Sequence, residues 1–247
     1  MRIHPLIFIV TVTIAAVLVG EARPQEQTAQ KTVPVVFVTA QQLDAAALLP
    51  YPAPTESVAT KADLALLHRL ETTRTPDQIA HAQSDDLEES IFIFKDVLGP
   101  KFDRESLPLT SVLSDHVHGN ESVIVNPAKK FFRRPRPYHF DATLKPVCKT
   151  KTDLNDYAYP SGHGTTGYLE ALVLAMIIPE KRDAIFVRAD DYAQNRLVCG
   201  VHWSGDMVAS KSVAYAMIGL MMTNPQFQKE LSAARAETRL ALGLTEP

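Results

Sequence analysis

Three clusters in this 247-residue chain gather side chains that could do chemistry. In "NRLVCGVHWSGD" (195–206), Arg196, His202 and Asp206 fall together. His202 and Asp206 are four apart, a spacing that on a helix brings a carboxylate beside an imidazole. An acceptor on one ring nitrogen fixes the tautomer and leaves the other nitrogen free to attack. The plain alternative is a capping histidine with a first-turn aspartate that suits the helix dipole. In "PSGHG" (160–164), Gly162 and Gly164 flank His163 at the mouth of a long apolar run. Glycine lets backbone approach a ligand closely, and a helix N-terminus offers free N–H groups to an anion. Simple helix capping is again the alternative. In "KKFFRRPRP" (129–137), Lys129, Lys130, Arg133, Arg134 and Arg136 put five cations into eight residues. Such a run is commonly a solvated basic loop. In a chain of net charge −3, however, gathered base implies a local anion. Arginine adds a planar fork suited to phosphate, and lysine a compact charge. Taken together, the clusters supply Lys129, Arg136 and Arg196 as cations, an oriented nucleophile, a second histidine and a nest of N–H groups. Those are the parts of phosphoryl transfer without a metal.

The spacing resembles the signature of the type 2 phosphatidic acid phosphatase (PAP2) superfamily, which includes the bacterial class A non-specific acid phosphatases and the vanadium haloperoxidases. That signature runs Lys, six residues, Arg-Pro; then Pro-Ser-Gly-His; then Ser-Arg, five residues, His, three residues, Asp. Here Lys129 precedes Arg136-Pro137 by six residues, Pro160-Ser161-Gly162-His163 matches in full, and Arg196, His202 and Asp206 keep their spacing. Asn195 stands where the family has serine, which puts one auxiliary hydrogen bond in doubt. The resemblance implies an all-α, compact helical bundle and a metal-independent acid phosphatase without a cofactor. It implies His202 as the nucleophile, Asp206 as its orienting partner and His163 as general acid and then base. Lys129, Arg136, Ser161, Gly162, His163 and Arg196 would hold the phosphoryl oxygens.

The elements that must position these residues are legible in part. "ESVATKADLALLHRLETTR" predicts a helix capped by Ser57, and Thr75-Pro76 and Asn224-Pro225 are helix-start signatures. "LEESIFIFKDVLG" predicts a helix ending at Gly99, and "LPLTSVLSDHVHGNESVIVNPAKKFF" one or two helices. Further helices are expected over 164–178, from "EKRDAIFVRADDYAQNRLVCG" to Gly200, over "SGDMVASKSVAYAMIGLMM", and finally up to Gly243. "KTVPVVFVT" could pass for a strand but has no partner. The first 22 residues, with Arg2 and an apolar stretch from Leu6 to Val19, have the build of a cleaved secretory signal, leaving 23–247 as one domain. That apolar stretch, about 14 residues, is short for a membrane span, and none is expected in the mature chain. Export would place the protein in the periplasm or outside the cell. There, Cys148 and Cys199 could bridge, or remain two buried thiols.

The slightly acidic balance gives no support for nucleic-acid binding. The partners implied are small phosphate monoesters, and the sequence does not decide between a monomer and a homo-oligomer. Rival readings are a soluble lipid-phosphate phosphatase or a vanadate-dependent haloperoxidase of the same superfamily, a non-catalytic phosphate-binding protein, and a metal-dependent phosphoesterase. The last would draw on His116 and His118 in "DHVH" with His81 and His139.

Overall fold

The computed structural model describes residues 35–245. The secretory segment, its cleavage site and the start of "KTVPVVFVT" lie outside the described residues. Helices follow one another as α1 Ala45–Leu48, α2 Val58–Thr73, α3 Pro76–Leu87, α4 Lys95–Leu98, α5 Pro108–Phe132, α6 Pro137–Phe140, α7 Gly162–Ile177, α8 Arg182–Val198, α9 Ser204–Met221 and α10 Pro225–Leu242. The described residues contain no strand, so the class is all-α.

Local chemistry sets the helix starts. Ser57 accepts the N–H of Thr60, and Thr75 forms a reciprocal capping box with Gln78. Asn224 caps α10, with Pro225 in its first turn and Gly243 in the left-handed region at its end. α5 is one helix of 25 residues, although Pro127 lies inside it. Pro127 faces solvent, while Ile124, Val125 and Ala128 are buried and hold the helix against the core.

The segment before Gly99 departs from the expected single helix. Ile91–Phe94 forms a tight 3-10 turn, followed by the single turn of α4. All four residues of that turn are buried. Four consecutive apolar side chains leave no polar face for an amphipathic surface helix, and the tighter turn puts all of them into the core.

α7 is the central element, packed against α5, α8 and α9, with α10 closing over α5. Leu169, Leu174 and Ile177 of α7 meet Leu113 and Val117 of α5 and Val213 and Met217 of α9 in one apolar core. Two polar ties fix the site's frame. Asp85 on α3 receives both terminal nitrogens of Arg188 on α8, an ion pair buried on both sides. Cys148 and Cys199 are joined by a disulfide with Cα atoms 5.1 Å apart, fastening the loop that follows α6 to the end of α8.

Candidate active site

His202 lies just before α9 and not on it. Its closeness to Asp206 comes from the capping turn: the Asp206 Oδ2 atom reaches back to accept the Trp203 N–H at 2.9 Å and His202 Nδ1 at 2.9 Å. The expected helical-face neighbour is thus a cap neighbour. Arg134 donates to the other Asp206 oxygen at 2.8 Å. On the far side of the ring, Arg136 Nη1 sits 2.6 Å from His202 Nε2, and Ser161 Oγ is 3.1 Å away. A guanidinium only donates. Nε2 must therefore present its lone pair, and the ring proton sits on Nδ1, aimed at Asp206. Burial, reinforced by Arg136, Arg196, Lys129 and His163, pushes the His202 imidazole well below its ordinary range. Burial pushes the Asp206 carboxyl up to about 6, with Arg134 and the Trp203 N–H working against it.

Ser161 caps α7. Its Oγ accepts the Gly164 N–H at 3.1 Å, and its own N–H donates to Ser210 Oγ at 2.9 Å. This leaves the N–H groups of Gly162 and His163 at the helix mouth without intrahelical acceptors. The two glycines answer to close packing. A Cβ at Gly162 would meet Glu121 Oε1 at 2.9 Å, and one at Gly164 would meet Ser210 at 3.0 Å. Between them, His163 reaches the end of α3 and the segment that follows it. Its Nε2 is 3.3 Å from the Asp86 carbonyl, its Nδ1 is 3.4 Å from Glu89 Oε2, and its ring stacks on Tyr192. Burial and then Arg196 push this imidazole down to about 3.

The cations converge from three elements. Arg136, after α5, is held by the Val201 carbonyl at 3.1 Å and Asp156 at 3.2 Å. Arg196, in the last turn of α8, pairs with Asp86 at 2.7 Å and keeps a buried Nε with no partner. Burial, then Arg136, lowers the pKa of Lys129 in the last turn of α5. Although burial opposes it, Arg196 holds Asp86 below the usual carboxylate range. Lys129, Arg136, Gly162, His163, Arg196 and His202 all line one cavity of about 450 Å³. Ser161 and Asp206 stand directly behind its wall. The expected site residues therefore meet in one place. Cys199 lies behind Arg196, its sulfur 3.8 Å from Nη1.

The histidines of the metal reading do not gather. His116 bonds Glu230, His118 lies 3.4 Å from Thr166 Oγ1, and His139 bonds the Lys151 carbonyl. Ligand atoms of His81, Asp85 and Asp191 lie within 4.8 Å of one another, but Asp85 is committed to Arg188 and Asn195. Asn195, at the family's serine position, donates to Asp85 at 2.8 Å and so braces the ion pair between α3 and α8. Sequence reasoning missed Asp86, Glu89, Glu121 and Asp156. It counted Arg134 in the basic run without seeing that Arg134 serves Asp206.

A family model described as the PAP2 superfamily matches residues 117–230, a range that contains every residue from Lys129 to Asp206. The non-specific acid phosphatase of Providencia stuartii is 30% identical over 204 residues, covering 80% of this chain and 82% of that one. The non-specific acid phosphatase of Salmonella typhimurium is 32% identical over 148 residues, 59% of each chain. A solved transmembrane PAP2 type phosphatidylglycerolphosphate phosphatase from Bacillus subtilis aligns at 18% identity with a TM-score of 0.49, over 72% of this chain and 89% of that one.

Proposed function

The chain belongs to the PAP2 superfamily and is a phosphoric monoester hydrolase, and from that premise we propose that it works as a metal-independent acid phosphatase through a phosphohistidine on His202. The observation that carries this reading is the state of His202: Nδ1–H committed to Asp206, and the Nε2 lone pair turned toward Arg136 in a cavity lined by cations. In the first step Nε2 bonds to phosphorus and the ester P–O bond breaks, its electron pair leaving with the alcohol oxygen. His163 gives that oxygen a proton. In the second step a water attacks phosphorus, His163 takes the water's proton, and the P–N bond breaks to return neutral His202. Charge spreads over the equatorial oxygens in between, and Lys129, Arg136 and Arg196 with the first N–H groups of α7 face that charge. Asp206 stabilises the developing imidazolium as Arg134 and the Trp203 N–H hold it in line.

His163 is neutral when it has only its protein neighbours, so its acid role depends on the substrate. A phosphate dianion beside it favours the imidazolium and supplies the proton donor where it is needed. The substrates in this reading are small phosphate monoesters. No helix among the described residues is long and apolar enough to cross a membrane. We assign residues 1–22 to a cleaved signal, 23–247 to one catalytic domain, and the mature enzyme to the periplasm or the medium.

The test is rapid quench with a radiolabelled nitrophenyl phosphate. An acid-labile, base-stable label on the wild-type protein and none on a folded His202→Ala protein is the expected result. A His202→Ala protein retaining more than a tenth of wild-type turnover would sink the assignment. Orthovanadate should inhibit, and EDTA should leave activity intact. Loss on chelation that a divalent metal restores would favour the metal reading instead.

A further inference from the structure

Glu121 has no part in the reaction described above, yet it lines the same cavity. It sits on the inner face of α5, 7% exposed, two turns before Lys129. Its carboxyl presses on the α7 mouth, since Oε1 is the atom that a Cβ at Gly162 would strike at 2.9 Å. No hydrogen bond or ion pair within 4.0 Å engages it among the described residues. A buried carboxyl without a partner costs stability, most of all when ionised. Its position beside a nest of N–H groups that faces an anion makes that cost consequential.

Resting on the reading of this cavity as the phosphoryl site, we propose that Glu121 is a specificity-determining residue: with its carboxyl neutral the cradle admits a phosphate dianion, and with its carboxyl ionised the cradle repels one. The charged groups that act on it are Lys129 from its own helix and Glu89 from the segment after α3, and the imidazoles of His118 and His163 line the same cavity. Burial, with Glu89 adding to it and Lys129 opposing, pushes Glu121 up to about 7. The switch from neutral to ionised therefore falls at the upper end of the working range of an acid phosphatase. Above that point a fixed negative charge stands against Gly162 at the α7 mouth and competes for Lys129. At the dielectric of a partly buried site, one such charge within about 6 Å weakens binding of an anion about tenfold or more. Glu121 thus sets the alkaline limit through substrate binding, while the two histidines set the chemistry.

The experiment measures the competitive inhibition constant of inorganic phosphate at pH 6 and pH 8, using nitrophenyl phosphate as substrate. Each protein is compared with itself. The wild-type ratio of the two constants should exceed that of Glu121→Gln by about tenfold. Glu121→Met, which also removes the charge, should match Glu121→Gln. Parallel ratios in wild type and a folded variant overturn the inference and leave the phosphatase reading standing. A wild-type protein without turnover at either pH removes the phosphatase reading itself. Reciprocity supplies a measurement that needs no variant. Phosphate must raise the pH at which the Glu121 carboxyl titrates in the wild-type protein, followed by carboxyl carbon shifts in a glutamate-labelled sample. An unmoved titration overturns the inference.

Discussion

His163 is the residue whose role depends most on its surroundings. Its ring is held by Asp86, Glu89 and Tyr192, and burial with Arg196 keeps it neutral down to about 3. Protonation therefore has to come with the substrate dianion. The rate at saturating substrate should be bell-shaped in pH: the acid limb reports His202 and Asp206 losing their neutral-imidazole arrangement, and the alkaline limb reports loss of the proton on His163 in the complex, whereas the alkaline limb of kcat/KM carries Glu121. Both limbs belong to coupled groups. We expect the optimum on the acid side, about pH 5–6.5, from the opposing effects of cations and bound phosphate. His163→Ala should lose two to three orders of magnitude on an alkyl phosphate and distinctly less on nitrophenyl phosphate, whose leaving group needs no proton. Equal fractional losses on the two esters would remove His163 from the general-acid role.

At the level of elements, the site depends on how α3, α8 and the loop after α6 are clamped. Asp85, Arg188 and Asn195 lock α3 to α8, which brings Asp86 to Arg196, and the Cys148–Cys199 bridge draws Lys149 in, so that its N–H meets Asp86 at 3.0 Å. On the chain-entropy model, a bridge closing 51 residues is worth about 4 kcal/mol. Replacing both cysteines by serine should lower the urea midpoint by a corresponding amount, and it should reduce kcat as Arg196 loses its backing. An unchanged midpoint would mean that the clamp rests on Asp85 and Arg188 alone. The helix starts were readable from Ser57, Thr75 and Asn224, because capping is local chemistry. The turn at Ile91–Phe94 was not, because burial on all sides decides it. Lys129, Arg136, His163, Arg196, His202 and Asp206 were readable from fixed spacing. Asp86, Glu89, Glu121 and Asp156 were not, since no chain spacing ties an acid to a cation that tertiary packing delivers.

For the molecule as a whole, the core carries an acid that matters to stability. Glu170 on α7 is fully buried, takes one hydrogen bond from Ser114 at 2.8 Å and leaves its second oxygen without a partner. Burial raises its pKa well above the ordinary 4.5. The folded chain keeps a proton there that the unfolded chain releases near the ordinary value. Its contribution to stability is thus complete below about 4.5 and is lost as pH rises toward the folded value. Glutamine cannot ionise, so Glu170→Gln should gain on wild type in urea denaturation between pH 5 and pH 8, with little difference near pH 4. The lowered histidines act in the opposite direction in both proteins and cancel in the comparison. Curves that stay parallel across that range would refute the assignment. The close packing at Gly162 and Gly164 bears on descent as well. A side chain at 162 needs the Glu121 carboxyl to swing aside, and one at 164 needs Ser210 to give by a few tenths of an ångström, so this wall resists heritable variation. New substrate preferences enter more readily from Leu87, Lys149 and Lys151, which line the same cavity, are exposed and can be exchanged without displacing a buried neighbour. A library randomised at those three positions should return active clones with altered ester preference, whereas one randomised at 162 and 164 should return almost none that work.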